Sequence, residues 1–288
     1  MKRKEKIGVI LVLISALGYA LMPIFSVTPL REGTPVSTLL FMRFSLTALL
    51  LWPYIIIKKI PYKLSIKSTI YLIVLCLLGF TVATVTLNNA YKMISGSIAT
   101  LILFTHPILV MVLDRIVFKT PTTRRKILAV IITSIGLLIV LYVKEPLSAK
   151  GVILAFVSSM SYAVYCLGLT EKNVQKIGGI AVTAYMATTT ALAMGIMCLV
   201  DGAPLITTET NVIMSVIGLA LFATIVASIT FYESLSRIGA SSTTLISSVE
   251  PMIVVFLSAA FLGEVITYNN IIGGLIIIIG IIVLEYKK

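Results

Sequence analysis

The sequence predicts an all-α integral membrane protein, with ten transmembrane helices in two inverted five-helix repeats, residues 1–146 and 147–288. Duplication, composition and charge placement carry that expectation. Residues 95–143 recur without a gap 144 positions later as residues 239–287, in a register fixed by Ser97/Ser241, Thr100/Thr244, Pro107/Pro251, Gly136/Gly280 and Tyr142/Tyr286. A second match pairs residues 8–20 with 151–163 through Gly-Val-Ile-Leu, Ser15/Ser158 and Tyr19/Tyr162, so the repeat spans nearly the whole chain. Apolar residues make up 59% of the chain and charged residues 12%, with a mean hydropathy of +1.10. A soluble fold of this size cannot bury that much hydrocarbon.

Apolar stretches near the length of about 20 residues that crosses about 30 Å of hydrocarbon fall at residues 7–27, 35–57, 68–89, 95–118, 125–143, 149–170, 179–200, 211–233, 240–262 and 267–285. The first follows Lys2-Arg3-Lys4 and so mimics a secretory signal. It is longer than a signal core, lacks a small-residue cleavage site and has a counterpart inside the chain, and it reads as a retained helix. The second begins at Pro35 and carries Arg43; the third ends on Asn88 and Asn89. The fourth and ninth are repeat partners, each interrupted by a proline, and the fifth and tenth share Gly136/Gly280. The sixth repeats the first, and the ninth is crowded with hydroxyls between Ser241 and Ser248. Connections are short and polar, which places the working part of the protein between its helices.

Seventeen Lys and Arg side chains lie at the N-terminus, in alternate connections (Lys58 to Lys67, Lys119 to Lys126, Lys172, Lys176, Arg237) and at the C-terminus, against four on the opposite side (Arg31, Lys92, Lys144, Lys150). Positively charged connections face the cytoplasm, so both termini are expected there. Five crossings per half then invert the second half relative to the first, an arrangement with two related conformations, one open to each side. The net charge of +12 is accounted for by this topology and by anionic lipid headgroups, and no nucleic-acid partner is expected.

Cys76, Cys166 and Cys198 all fall in apolar stretches, as small hydrophobic residues do. With one histidine and no paired Cys/His spacing, no metal site or other cofactor is expected. The chain has no GKS or GKT phosphate loop, HExxH or GxSxG, the residues that nucleotide-driven work and common intramembrane hydrolases require.

Polar groups inside a bilayer are costly, and each is a candidate site. His106 and Glu250 occupy one repeat position, directly before Pro107 and Pro251. Each proline removes an amide donor and frees the carbonyl four residues back, at Leu103 and Ser247. Those carbonyls need partners from helices, water or solute. The repeat thus places a helix break and an ionisable side chain near mid-membrane twice, and both side chains are candidates for proton exchange or solute contact; the alternative is that they pin the kinks. Arg43 lies eight residues past Pro35 and needs a carboxylate, carbonyls or a wet cavity, or must snorkel outward. Tyr19 and Tyr162 offer aromatic surface with one hydrogen bond each, and Asn88 and Ser247 are weaker candidates. Glu233 and Arg237 have the spacing of a local salt bridge. Asp114 and Arg115 read as anchors at the inner surface.

The stretch GASSTTLISSVEPMIVVFLSAAFLGEVITYNNIIGGLIIIIGIIVL from Gly239, with its Glu-Pro, its Gly263-Glu264 and its spaced glycines, resembles the second repeat of the EamA-like branch of the drug/metabolite transporter superfamily. RFSLTALLL from Arg43 is similar to the second helix of that family. The first half departs from the pattern, with Thr120 where Glu264 stands in the other copy and His106 in place of the Glu of Glu-Pro. The resemblance implies a central cavity lined by stretches one, three, four, six, eight and nine, with five and ten peripheral. It also implies a secondary transporter of small metabolites, amino acids or their relatives among them, frequently exported, with proton coupling in some members and facilitation in others. Expected partners are a small-molecule solute, the lipid bilayer and protons, in a monomer or homodimer.

Overall fold

The protein is described from a computed structural model that covers residues 3–119, 123–140, 148–262 and 265–285. Thr120, Tyr142, Lys144, Gly263, Glu264, Tyr286 and the end of the fifth expected stretch lie outside the described residues, as do Lys2, Lys287 and Lys288. Every described element is helical. In order they are α1 (Arg3–Ala20), α2 (Met22–Arg31), α3 (Val36–Ile57), α4 (Ile66–Leu75), α5 (Val82–Tyr91), α6 (Gly96–Leu103), α7 (His106–Phe118), α8 (Arg124–Val140), α9 (Ala149–Gly168), α10 (Lys172–Gln175), α11 (Gly178–Asp201), α12 (Thr210–Ala220), α13 (Ala227–Ile238), α14 (Ala240–Ile246), α15 (Glu250–Leu262) and α16 (Tyr268–Glu285). A wide π-helical turn, Cys76–Thr81, joins α4 to α5, and another, Leu221–Val226, joins α12 to α13.

Among the described residues, seven helical stretches are long and apolar enough to cross a membrane: Lys4–Arg31, Val36–Ile57, Ile66–Tyr91, Ala149–Gly168, Gly178–Asp201, Thr210–Ile238 and Ala240–Phe261. The other expected segments are shorter pieces here: the broken α6–α7 pair, the 17-residue α8, and α16 with its apolar part Tyr268–Gly280. Aliphatic side chains such as Ile57, Ile116, Leu199 and Val200 project outward, as they must where hydrocarbon is the solvent.

The main helix pairings join residues of the first half of the chain to residues of the second. α1 packs on α13, α9 on α5, α3 on α11 and α8 on α16. Two of these contacts are the same contact made twice. Ser15 Oγ donates to the carbonyl of Ala227 at 2.9 Å and Ser158 Oγ donates to that of Ala83 at 2.8 Å. Buried hydroxyl-to-carbonyl bonds between membrane helices are worth about 0.6 kcal/mol each. Ser15→Ala and Ser158→Ala should therefore each lower thermal stability slightly, and the double variant by about the sum, since they sit at different helix pairs; unfolding midpoints in lipid or detergent check this.

α8 and α16 approach most closely at their glycines. A Cβ on Gly136 would stand 2.6 Å from the Gly273 carbonyl, and one on Gly280 would stand 3.0 Å from the Thr133 backbone nitrogen and 3.1 Å from the Ala129 carbonyl. Neither helix contributes to the central cavity. Gly239, between α13 and α14, has φ of +80°, a backbone state open to glycine and strained for other residues.

Candidate functional site

Five helices are interrupted at mid-length, and the interruptions surround one cavity. Pro107 separates α6 from α7 at Phe104 and Thr105, and Pro251 follows a three-residue 3₁₀ turn, Ser247–Val249, that separates α14 from α15. α1 and α2 meet at a break before Pro23, which the repeat did not reveal because Cys166 stands at the matching place in the other copy. The two π turns complete the set. Such turns frequently mark functional sites because they leave backbone groups outside the regular ladder.

The cavity measures about 40 Å³ and is lined by Tyr19, Met22, Arg43, Phe80, Ala83, Thr84, Leu87, Leu103, Phe104, His106, Ser158, Tyr162, Phe231, Ser247 and Glu250. That is room for about one water molecule. Of the side chains singled out from sequence, Tyr19, Arg43, His106, Tyr162, Ser247 and Glu250 meet on this wall. Asn88 does not: it is fully buried and its Nδ2 donates to the Thr84 carbonyl of its own helix at 2.8 Å. The wall draws on the helices that the family resemblance implied, and Arg43 adds α3 to them.

His106 is 1% exposed, and its Nδ1 lies 2.9 Å from the carbonyl of Leu103. A carbonyl only accepts, so Nδ1 carries the proton. The neutral ring is then left with a bare Nε2 lone pair, which has no partner among the described residues. Pro107 frees the Leu103 carbonyl that fixes this tautomer, so the helix break also orients the imidazole. The ring stands edge-on to Tyr162 at 5.0 Å between centroids. The Glu250 carboxyl, at the repeat-related break, also lines the cavity, is 4% exposed and receives no hydrogen bond from any described residue. A carboxyl and a ring lone pair thus share the wall.

Arg43 meets helix groups rather than a carboxylate. Its Nε donates to Thr224 Oγ1 at 2.8 Å and its Nη2 to the Ala223 carbonyl at 2.9 Å, both in the second π turn. Its Nη1 lies 3.4 Å from Met22 Sδ, and its guanidinium sits over the Phe44 ring at 4.8 Å. Of the alternatives open from sequence, carbonyl pairing is realised and snorkelling is not, since the side chain is 1% exposed. Thr224 in turn donates to the Leu219 carbonyl at 2.8 Å. Thr224→Val should cost about 1–3 kcal/mol, because it strips a buried charged donor of its partner, read as a fall in unfolding midpoint larger than that of either serine variant above.

Tyr19 OH lies 3.0 Å from Ser228 Oγ; Tyr19 and Tyr162 both pack on Phe231, at 6.3 and 6.0 Å between centroids, and Tyr162 also lies 6.1 Å from Tyr165. The hydroxyls of the ninth stretch divide between ties to other helices and bonds to carbonyls of their own segment. Ser241 donates to Asp114 Oδ2 at 2.9 Å, Ser234 and Thr243 lie 3.2 Å apart, Thr244 donates to Ala240, and only Ser247 reaches the wall, donating back to Thr244 at 2.8 Å. Glu233 and Arg237 form the expected local ion pair, and Glu233 also accepts from the Gly179 amide at 3.3 Å. The three cysteines are buried free thiols.

The wall also holds Phe80, Thr84, Phe104, Ser158 and Phe231, none of them named as a site candidate from sequence. Ser158 and Thr84 carried a usable signal, since Ser158 repeats Ser15 and Thr84 lies 144 positions before Ser228, the partner of Tyr19. The phenylalanines carried none, because an aromatic in a lipid-facing stretch looks the same as one in a wall. Among the described residues no group of acids, histidines and cysteines has the makings of a metal site.

The relatives that this chain matches are named as transporters. The chain is 24% identical over 236 residues to the uncharacterized transporter YdfC of Bacillus subtilis, covering 81% of this chain and 76% of that one. It is 24% identical over 253 residues to an uncharacterized transporter of Archaeoglobus fulgidus, covering 86% and 87%. A third, the uncharacterized transporter YcbK of Bacillus subtilis, is 32% identical over 143 residues, about half of each chain (48% and 46%). A crystal structure of another protein superposes with a TM-score of 0.79 over 96% of both chains at 12% identity, a likeness of fold alone. The model of the EamA-like transporter family matches twice, at residues 6–142 and 149–286. A multi-pass protein of the bilayer, built to pass a small molecule and matched by that family over both halves of its length, this chain belongs to the EamA-like transporter family.

Proposed function

We propose that the protein is a secondary transporter that exports small polar or amphipathic solutes, amino acids or their relatives, across the cell membrane by alternating access with proton coupling. Its ten helical stretches are ten crossings in two inverted halves, residues 1–146 and 147–288, with both termini in the cytoplasm. The doubled family match, the repeated Ser-to-carbonyl contacts and the helix pairings between the two parts of the chain support this architecture. Glu250 and His106 exchange protons or contact solute. Tyr19, Tyr162, Arg43 and Ser247 shape the cavity, Pro107 and Pro251 supply its breaks, and Asn88 backs the wall.

One observation carries the proposal: His106 Nε2, buried without a partner among the described residues, and the Glu250 carboxyl line one cavity of about 40 Å³ walled by both parts of the chain. A cavity with room for about one water is smaller than any amino acid. The helices must therefore separate to admit solute, and the interruptions around the cavity provide places where they can bend. A gradient-driven transporter predicts that purified protein in proteoliposomes accumulates labelled solute against its gradient when a pH difference is imposed. Downhill flux indifferent to that pH difference would instead favour a facilitator, and absence of flux for every solute tried would remove the proposal.

A further inference from the structure

We infer that the cavity prefers organic ammonium ions, primary amines carried on an apolar body, over solutes that present a free carboxylate. The inference rests on the transport reading above and narrows it to the amine relatives of amino acids. The unmet polar demand of the wall is for donors. His106 presents a lone pair at Nε2 that has no partner among the described residues, and Glu250 presents its carboxyl to the same cavity. A primary ammonium brings three N–H donors, enough for both acceptors.

The remaining wall suits a cation as well. Tyr162 stands 5.0 Å from the His106 ring and 6.0 Å from Phe231, which lies 6.3 Å from Tyr19. Aromatic groups of this kind attract ammonium through their ring quadrupoles and offer an apolar body a surface to pack on once the helices part. A carboxylate finds less. The cation on the wall, Arg43, has its Nε and Nη2 turned to Thr224 and Ala223, which engages one of the two guanidinium edges that grip carboxylates in bidentate fashion. An anionic solute would also meet the carboxyl of Glu250.

The test uses the full chain in lipid nanodiscs and three probes that share a phenyl ring: phenethylamine, phenylalanine and phenylacetate. Binding is read as ligand-dependent thermal stabilisation. Phenethylamine should bind at least about tenfold more tightly than phenylalanine, the scale of one charge-assisted contact, and phenylacetate should give no shift. Glu250→Gln should weaken phenethylamine by about tenfold; if that variant does not fold, the three-probe series on the natural chain decides alone. Equal or tighter binding of phenylalanine or phenylacetate overturns the inference, as does the absence of any shift with phenethylamine. Counterflow in proteoliposomes separates the two readings. Phenethylamine binding without counterflow would remove transport and keep the ammonium site, while phenylalanine counterflow without phenethylamine binding would do the reverse.

Discussion

Glu250→Gln should abolish accumulation driven by a pH difference while sparing solute exchange between the two sides of a vesicle. The substitution keeps the shape of the side chain and removes its ability to cycle a proton. Glu250 begins α15 directly before Pro251, lines the cavity and has no hydrogen-bond donor among the described residues. A carboxyl held this way in the bilayer is costly, and the default account of such a group is function. If it serves only to pin the kink, Gln replaces it with little change in transport and a modest change in stability. Uptake with and without an imposed pH difference, and exchange under equal pH, separate these outcomes. His106→Gln serves as the companion test: its amide still offers a donor to the Leu103 carbonyl that Nδ1 meets at 2.9 Å but cannot take up a proton, so coupling is weakened and folding is retained.

Gly280→Leu should strongly destabilise the helix pair α8–α16. A Cβ at Gly280 already stands 3.0 Å from the Thr133 amide nitrogen and 3.1 Å from the Ala129 carbonyl, so the obstacle is backbone and cannot rotate aside. Overpacking of that kind costs about 1–3 kcal/mol or more, and membrane helices that rely on close glycine contacts have no hydrophobic gain between helices to offset it. Gly274 is the internal control. A Cβ there meets the Sδ and Cε end of Met252, a flexible chain that can move, so Gly274→Ala should be nearly neutral. Unfolding midpoints of Gly280→Leu, Gly280→Ala and Gly274→Ala should fall in that order of severity. Equal shifts for the two alanine variants would mean that the glycine contact at Thr133 does not hold the pair together.

The helical class and the doubled chain were legible because both rest on strong, additive signals: stretches of apolar residues and a 144-position register kept over dozens of residues. The same register located His106 and Glu250, since a proline in an apolar helix leaves a carbonyl that must be answered. It did not reveal the break at Leu21, because Pro23 has Cys166 as its counterpart. Nor did it reveal the π turns at Cys76–Thr81 and Leu221–Val226, for a wide turn has no residue signature of its own. The destination of Arg43 was likewise undetermined: only when α3 is placed beside the second π turn do the Ala223 carbonyl and Thr224 hydroxyl become its partners. Of the hydroxyls crowded in the ninth stretch only Ser247 reaches the wall, and the others tie to neighbouring helices or to their own segment, because seryl and threonyl groups bond nearby carbonyls whether or not a cavity is present.

The central claim is that solute passes through the cavity at Glu250, reached in turn from each side of the membrane. Ser247→Cys, made in a chain whose buried Cys76, Cys166 and Cys198 are replaced by alanine, places a thiol on that wall. Its reaction with a membrane-impermeant thiol reagent, applied separately to right-side-out and inside-out vesicles, measures access directly. The account predicts labelling from both faces, slowed when transported solute is present. Reaction from neither face, or only with a lipid-soluble reagent, would contradict it.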